Sequence, residues 1–201
     1  MKNKLLIIIA LLCSSLLQAQ ISGTKSIPGD YSTIAAAVND LNNLGVGSGG
    51  VTFNVQTGHL EEITVPILIT ATGTAANPIV FQAASPVKST ASANPIVKRT
   101  DLGTVTTTAL EAQGDGVIII QGGDFITFNG IDLQATTDAI EYGYFLRKVS
   151  PTDGCKYVTI KNASITMTKG SSVYIIGIYS SNLDASSPAN SGVGITVADT
   201  N

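Results

Sequence analysis

Two stretches of this chain superpose without a gap, thirty-two positions apart. Asp124 to Leu133 reads DFITFNGIDL and Lys156 to Ile165 reads KYVTIKNASI, which sets Ile126 on Val158, Thr127 on Thr159, Phe128 on Ile160 and Leu133 on Ile165. Strand alternation places Ile126 and Phe128, or Val158 and Ile160, on one face and the intervening threonine on the other. Gly130 or Asn162 then supplies a residue type that tolerates a left-handed bend. After the bend, Ile131 and Leu133, or Ala163 and Ile165, return to the same interior. A unit of this kind has apolar residues that only a neighbouring copy can bury, which is the logic of a stacked parallel solenoid. The run before the first copy, Val117 to Ile120, is β-branched and fits another strand of the same turn.

Composition agrees with many short strands and many bends. Only 12% of the 201 residues are charged, and 20 are glycine. The formal charge is −3, and removing Lys2 and Lys4 with a leader takes it to −5. A net acidic chain lacks the basic face that nucleic-acid binding requires, so no nucleic-acid partner is expected.

The chain opens with the pattern of a secretion signal over residues 1–19. Lys2 and Lys4 precede an apolar core from Leu5 to Leu12, and Leu17-Gln18-Ala19 offers a cleavage point before Gln20. That apolar run is too short to cross a bilayer, so no transmembrane helix is expected after removal of the signal. Leu12 before Cys13 is larger than the small residue that lipoprotein processing requires. The mature chain then holds only Cys155, which excludes an internal disulfide and reads as a core or turn thiol. Secretion, or display on the outer cell surface, is the expected location.

Residues 20–48 carry one helix. Asp30-Tyr31-Ser32 offers capping side chains, and Ile34, Ala35, Val38, Leu41 and Leu44 recur at helical spacing before Gly45. The glycine-rich GVGSGG leads into VTFNV (Val51 to Val55), an alternating strand that begins residues 49–201. A helix placed before the first strand suits the end of a solenoid, where apolar ends and unpaired edges need cover.

The stretch YSTIAAAVNDLNNLGVGSGGVTFNVQTGHLEE resembles the opening of right-handed parallel β-helix proteins of the pectin-lyase-like superfamily, and YVTIKNASI resembles their repeated coil. With NPIVFQA (Asn77 to Ala83) and a leader ending Gln-Ala-Gln, the chain is similar to secreted bacterial surface proteins that use a C-terminal sorting domain. The resemblance implies an all-β fold, a right-handed parallel β-helix with an N-terminal capping α-helix. Val193, Ile195 and Val197 alternate as a further strand just before the sequence stops, so the set of coils is expected to be incomplete. No sorting domain is recognisable within these residues.

Enzymes of that superfamily cleave acidic polysaccharides with clustered carboxylates, or with a base beside calcium. Asp115, Asp124 and Asp132 fall close together, but edge and turn aspartates are usually structural. Glu61 and Glu62 after His59 show no metal-ligand spacing. No catalytic residue and no metal ligand is therefore assigned, and no cofactor is expected, with calcium the one cofactor the resemblance leaves open. The residues placed at a ligand are Tyr142, Tyr144, Arg147 and Lys148, because aromatics beside cations suit sugar stacking and carboxylate recognition. The same aromatics also read as strand and core residues. The expected function is non-catalytic adhesion or carbohydrate binding to a polysaccharide or cell-surface glycan. A lyase or glycoside hydrolase acting on acidic polysaccharide is the alternative, and a structural stalk is a third class.

Overall fold

Inward-facing β-branched and aromatic residues at alternate positions dictate the architecture. In the computed structural model, which describes residues 19–85, 94–100, 115–150, 152–170 and 175–184, thirteen strands and one helix follow in order. They are β1 (Ile21–Ile27), α1 (Ile34–Leu44), β2 (Val46–Val55), β3 (Leu60–Ile63), β4 (Ile67–Ile69), β5 (Ile79–Ala83), β6 (Ile96–Arg99) and β7 (Gly116–Gln121). Then come β8 (Ile126–Asn129), β9 (Asp132–Ala135), β10 (Tyr142–Lys148), β11 (Thr159–Lys161), β12 (Ile165–Thr166) and β13 (Ile176–Asp184). The leader expected over residues 1–19 lies almost wholly outside the described residues, as do most of the Ser/Thr/Ala-rich stretch before β7 and the Val193, Ile195, Val197 strand.

Three sheets form, ordered β1-β2-β5-β8-β11, β3-β6-β9-β12 and β4-β7-β10-β13, and every pairing is parallel. From β2 onward the chain visits the first, second and third sheets in the same order four times. The fold is therefore mostly β, all parallel, with one short helix near the N-terminus, an arrangement consistent with a β-solenoid. The thirty-two-residue repeat is its actual register: Thr159 pairs with Thr127, Ile160 with Phe128 and Ile165 with Leu133.

Register stacks like on like through the interior. In the first sheet Phe53, Phe81 and Phe128 are paired in succession and fully buried. Their rings stack at 4.6 and 5.1 Å with nearly parallel planes, and Tyr31 meets the first of them edge-on at 5.7 Å. Offset stacking of this kind adds about 0.5–1.5 kcal/mol per pair beyond the area buried. In the third sheet Ile67, Ile118 and Tyr144 form a second inner column, also buried. Asn162, with φ 55°, and Gly130, with φ 73°, make the left-handed bends that the sequence indicated.

The helix closes the first turn. Its buried face is Ile34, Ala37, Val38 and Leu41, and the Gly45 N–H ends it on the Leu41 carbonyl at 2.8 Å. The cap differs from the expected one. Asp30 turns back to the Ser26 N–H and hydroxyl, and Thr33 is the N-cap, its Oγ1 accepting from the Ala36 N–H at 3.0 Å. Glu61 of β3 completes it from a distance, accepting from the Ile34 N–H at 2.7 Å and the Ala35 N–H at 2.9 Å. Glu61 occupies an inward position in line with Val97, Leu133 and Ile165, and a carboxylate is stable there because a helix N-terminus faces it. Asn42 does the equivalent work at β4: its Oδ1 accepts from the Thr70 and Ala71 N–H groups, and its Nδ2 donates to the Leu68 carbonyl. One amide side chain thus stands in for a neighbouring strand.

Phe81→Ala, at the centre of the stack, is expected to lower unfolding free energy by about 3–5 kcal/mol in urea melts, against less than about 1 kcal/mol for the outward Gln82→Ala. Glu61→Ala strands two buried helix donors and should cost about 2 kcal/mol, with Glu61→Gln milder because one amide oxygen still accepts.

Candidate functional site

The four residues expected to meet a ligand lie together on β10, and all are buried. Tyr142 and Tyr144 are fully enclosed, and Arg147 and Lys148 nearly so. Tyr144 points inward, tilted on Phe128 at 5.2 Å, and burial together with the nearby Asp132 carboxylate raises its phenol far above the usual range. Tyr142 belongs to a separate cluster with Ile119 and Phe145, and stacks on Tyr179 at 5.0 Å. The Arg147 guanidinium lies 5.7 Å from the Phe145 ring centroid, and its Nε donates to the Gln121 amide oxygen. All four side chains are thus buried within the fold as described.

The carboxylates flagged in the sequence also have structural partners. Asp124 accepts from the Lys156 N–H at 2.7 Å, and Asp132 accepts from the Ser164 N–H at 2.9 Å and from the Asn94 amide at 2.8 Å. Each ties one turn of the chain to the next. Glu62 holds Lys98 at 2.7 Å. Asp115 is buried at the start of β7. Among the described residues no group of three or more His, Cys, Asp or Glu side chains converges in a way that could hold a metal. Cys155 is buried, its sulfur against the Ile120 and Arg147 carbonyls, and burial pushes the thiol up, away from the reactive thiolate. A small groove of about 180 Å³ between α1 and β4 is lined by Val38, Asn42, Pro66 and Leu68, and its amide is already engaged with β4.

Among the described residues, the outer face of the first sheet is one of the open surfaces. Register aligns Thr52, Val80, Thr127 and Thr159 in one outward column and Asn54, Gln82, Asn129 and Lys161 in the next. Within the second column Gln82 donates to Asn54 at 2.9 Å, and Asn162, just beyond it, donates to Asn129 at 2.8 Å. Rungs sit about 4.8 Å apart and alternate residues about 7 Å apart, so this is a regular lattice, polar except at Val80.

Its border is aromatic. Phe125 and Tyr157, each just ahead of its strand, stack with ring centroids 4.4 Å apart at 22°. Tyr157 is 71% exposed. Both residues have positive φ, 51° and 56°. Bulky side chains rarely adopt that backbone, which costs on the order of 1–3 kcal/mol each. The backbone is held there by the rungs: Phe125 N–H donates to the Lys156 carbonyl, Ile79 N–H donates to the Phe125 carbonyl, and Asp124 N–H donates to Thr72. A strained corner thereby presents an exposed ring beside a polar sheet. The sequence carried a signal for it, since an aromatic recurs at one repeat position, one residue ahead of the inward Ile126 or Val158.

No family model matches this chain, and no curated protein and no solved structure matches it. No helix among the described residues is long and apolar enough to cross a membrane.

One buried acid makes a pH prediction. Glu141, at the start of β10, is 7% exposed, and burial raises its carboxyl above the ordinary value, with the Tyr142 side chain pulling weakly the other way. The native state then keeps a proton that the unfolded chain releases, so Glu141 makes stability fall as pH rises from the unfolded carboxyl range toward the native one. Glu141→Gln should flatten that fall, raising Tm relative to the unsubstituted protein more at about pH 7 than at about pH 4. An unchanged pH slope would assign it to another group.

Proposed function

We propose that this chain is a right-handed parallel β-helix, of the pectin-lyase-like kind, from a secreted or outer-surface protein that binds a polysaccharide or cell-surface glycan without cleaving it. The observation that carries the reading is the exposed Tyr157 ring, stacked on Phe125 at the edge of a face of mainly Thr, Asn and Gln side chains. A sugar ring presents C–H groups on one face and hydroxyls around its rim. An open aromatic face takes the former, and rows of hydroxyl and amide side chains take the latter. The three-sheet order supports the coil geometry, and the N-terminal leader pattern supports export. The resemblance in YVTIKNASI and in the helix-to-VTFNV opening supports the superfamily.

Cleavage is the weaker reading on the same residues. Hydrolysis needs two carboxylates facing one glycosidic bond across an open site. Asp124 and Asp132 are occupied by backbone N–H groups of the next turn, and Asp115 and Arg147 are buried.

A glycan array screened with the mature chain from Gln20, with calcium and with chelator, is expected to show binding and no shortened or unsaturated product. Tyr157→Gly removes the ring and suits the positive φ, so it should weaken that binding about tenfold while leaving Tm the same or higher. Cleavage of a bound polysaccharide, or binding indifferent to Tyr157, would overturn the reading.

A further inference from the structure

One dipeptide on the outer face of the first sheet carries a chemistry of its own. Asn129-Gly130 is the one Asn-Gly pair in the sequence. A glycine nitrogen has no side chain beside it to hinder attack on the preceding asparagine Cγ. In that reaction a C–N bond forms, the bond from Cγ to the amide nitrogen breaks, and ammonia leaves with the proton shed by the glycine nitrogen. Water then opens the five-membered imide at either carbonyl, leaving aspartate or isoaspartate. Water is the only co-reactant.

The fold restrains every participant. Asn129 ends β8 and is paired on both sides, with Gln82 and with Lys161, so its backbone is extended and its side chain stands off the sheet, away from the next nitrogen. The Gly130 N–H is itself engaged, donating to the Lys161 carbonyl at 2.9 Å. The Asn129 amide oxygen accepts from the Asn162 amide at 2.8 Å. The last two restraints come from β11 and the bend after it, which are held less firmly than β8. Ile126 and Phe128 of β8 are fully buried, whereas Ile160 of β11 is half-buried and Thr159 and Lys161 are exposed. Segments with few buried apolar contacts open locally at lower free-energy cost, so β11 parts from β8 more readily than β8 parts from β5.

We propose that Asn129-Gly130 is a deamidation site gated by β11: the imide forms only while the β8–β11 rung is open, and its products leave that rung altered. Aspartate adds a negative charge to the outward column between Gln82 and Lys161. Isoaspartate routes the main chain through the former side chain, which adds a methylene ahead of Gly130 and takes its N–H out of step with the Lys161 carbonyl. The site does not depend on what this face binds.

Peptide mass spectrometry of the full chain tests it, following Asn129 with time at mildly alkaline pH, native and in urea, with exchange of the Gly130 amide measured alongside. Deamidation at Asn129 is expected in both, slower in the native chain by on the order of tenfold or more. Asn162→Gly suits the positive φ at that bend and deletes the amide that holds Asn129. It should speed Gly130 exchange and native deamidation together, by about threefold or more, and leave the rate in urea within about twofold. Should that variant fail to fold, Asn162→Asp, which keeps the side-chain size and loses the donor, carries the same comparison. Equal rates in the native chain and in urea, no deamidation in urea, or faster Gly130 exchange without faster deamidation would overturn the proposal.

Discussion

A parallel strand with one apolar face can bury that face only against the interior made by other strands, and here each strand also needs a rung above and below for its backbone groups. Both requirements are met by one operation, repetition of a turn in register. Phe53, Phe81 and Phe128 show what the register does: the same ring, in the same inward column, touches its copy on the next turn. Side chains that join turns follow the same rule, as with Asp124 on the Lys156 N–H and Asp132 on the Ser164 N–H, which keep adjacent bends in step. Stability in such a stack is a sum of neighbour contacts, so a lesion is felt most in the middle and least at an end.

The ends then become the chemical problem. Inward position Glu61 would be untenable as a charge in the column above Val97 and Leu133 if the helix N-terminus were elsewhere, and the first helical N–H groups would be orphaned if Glu61 were apolar. Each solves the other's desolvation. Asn42 treats the edge of β4 likewise, giving an amide oxygen to two N–H groups and an amide hydrogen to a carbonyl, as a strand would. These contacts make the helix part of the sheets rather than a lid laid over them.

Legibility in the sequence followed the regularity of the turns. The third and fourth turns have equal spacing from β8 and β9 to β11 and β12, so their repeat reads directly from DFITFNGIDL and KYVTIKNASI. The earlier turns carry the same pattern in VTFNV and IVFQA, and the long connection between β6 and β7 hides it by breaking the spacing. Local helix signals placed α1 and its Gly45 stop, but Glu61 lies twenty-seven positions from Ile34, and no local pattern announces a cap at that range. The ligand reading of the β10 aromatics rests on the cations beside them, and their burial rests on a different signal. The unbroken apolar run Tyr142-Gly143-Tyr144-Phe145-Leu146 is the opposing signal, since a strand buried on both faces loses its alternation.

The corner at Phe125 and Tyr157 differs from everything else in the chain in working against local preference. Elsewhere the bends use Gly or Asn where the backbone turns left-handed, as at Gly130 and Asn162, and those residues take the geometry at little cost. A glycine at either aromatic position would relieve the backbone and would lose only one partly exposed ring contact. Strain of on the order of 1–3 kcal/mol per residue is set against about 0.5–1.5 kcal/mol from the stacked pair and the apolar area that the rings bury. Tyr157 is 71% exposed beside rows of hydroxyls and amides, and the proposed glycan contact is built on that placement. The corner at Phe125 and Tyr157 is where the stack departs from its own rule of Gly or Asn at left-handed bends.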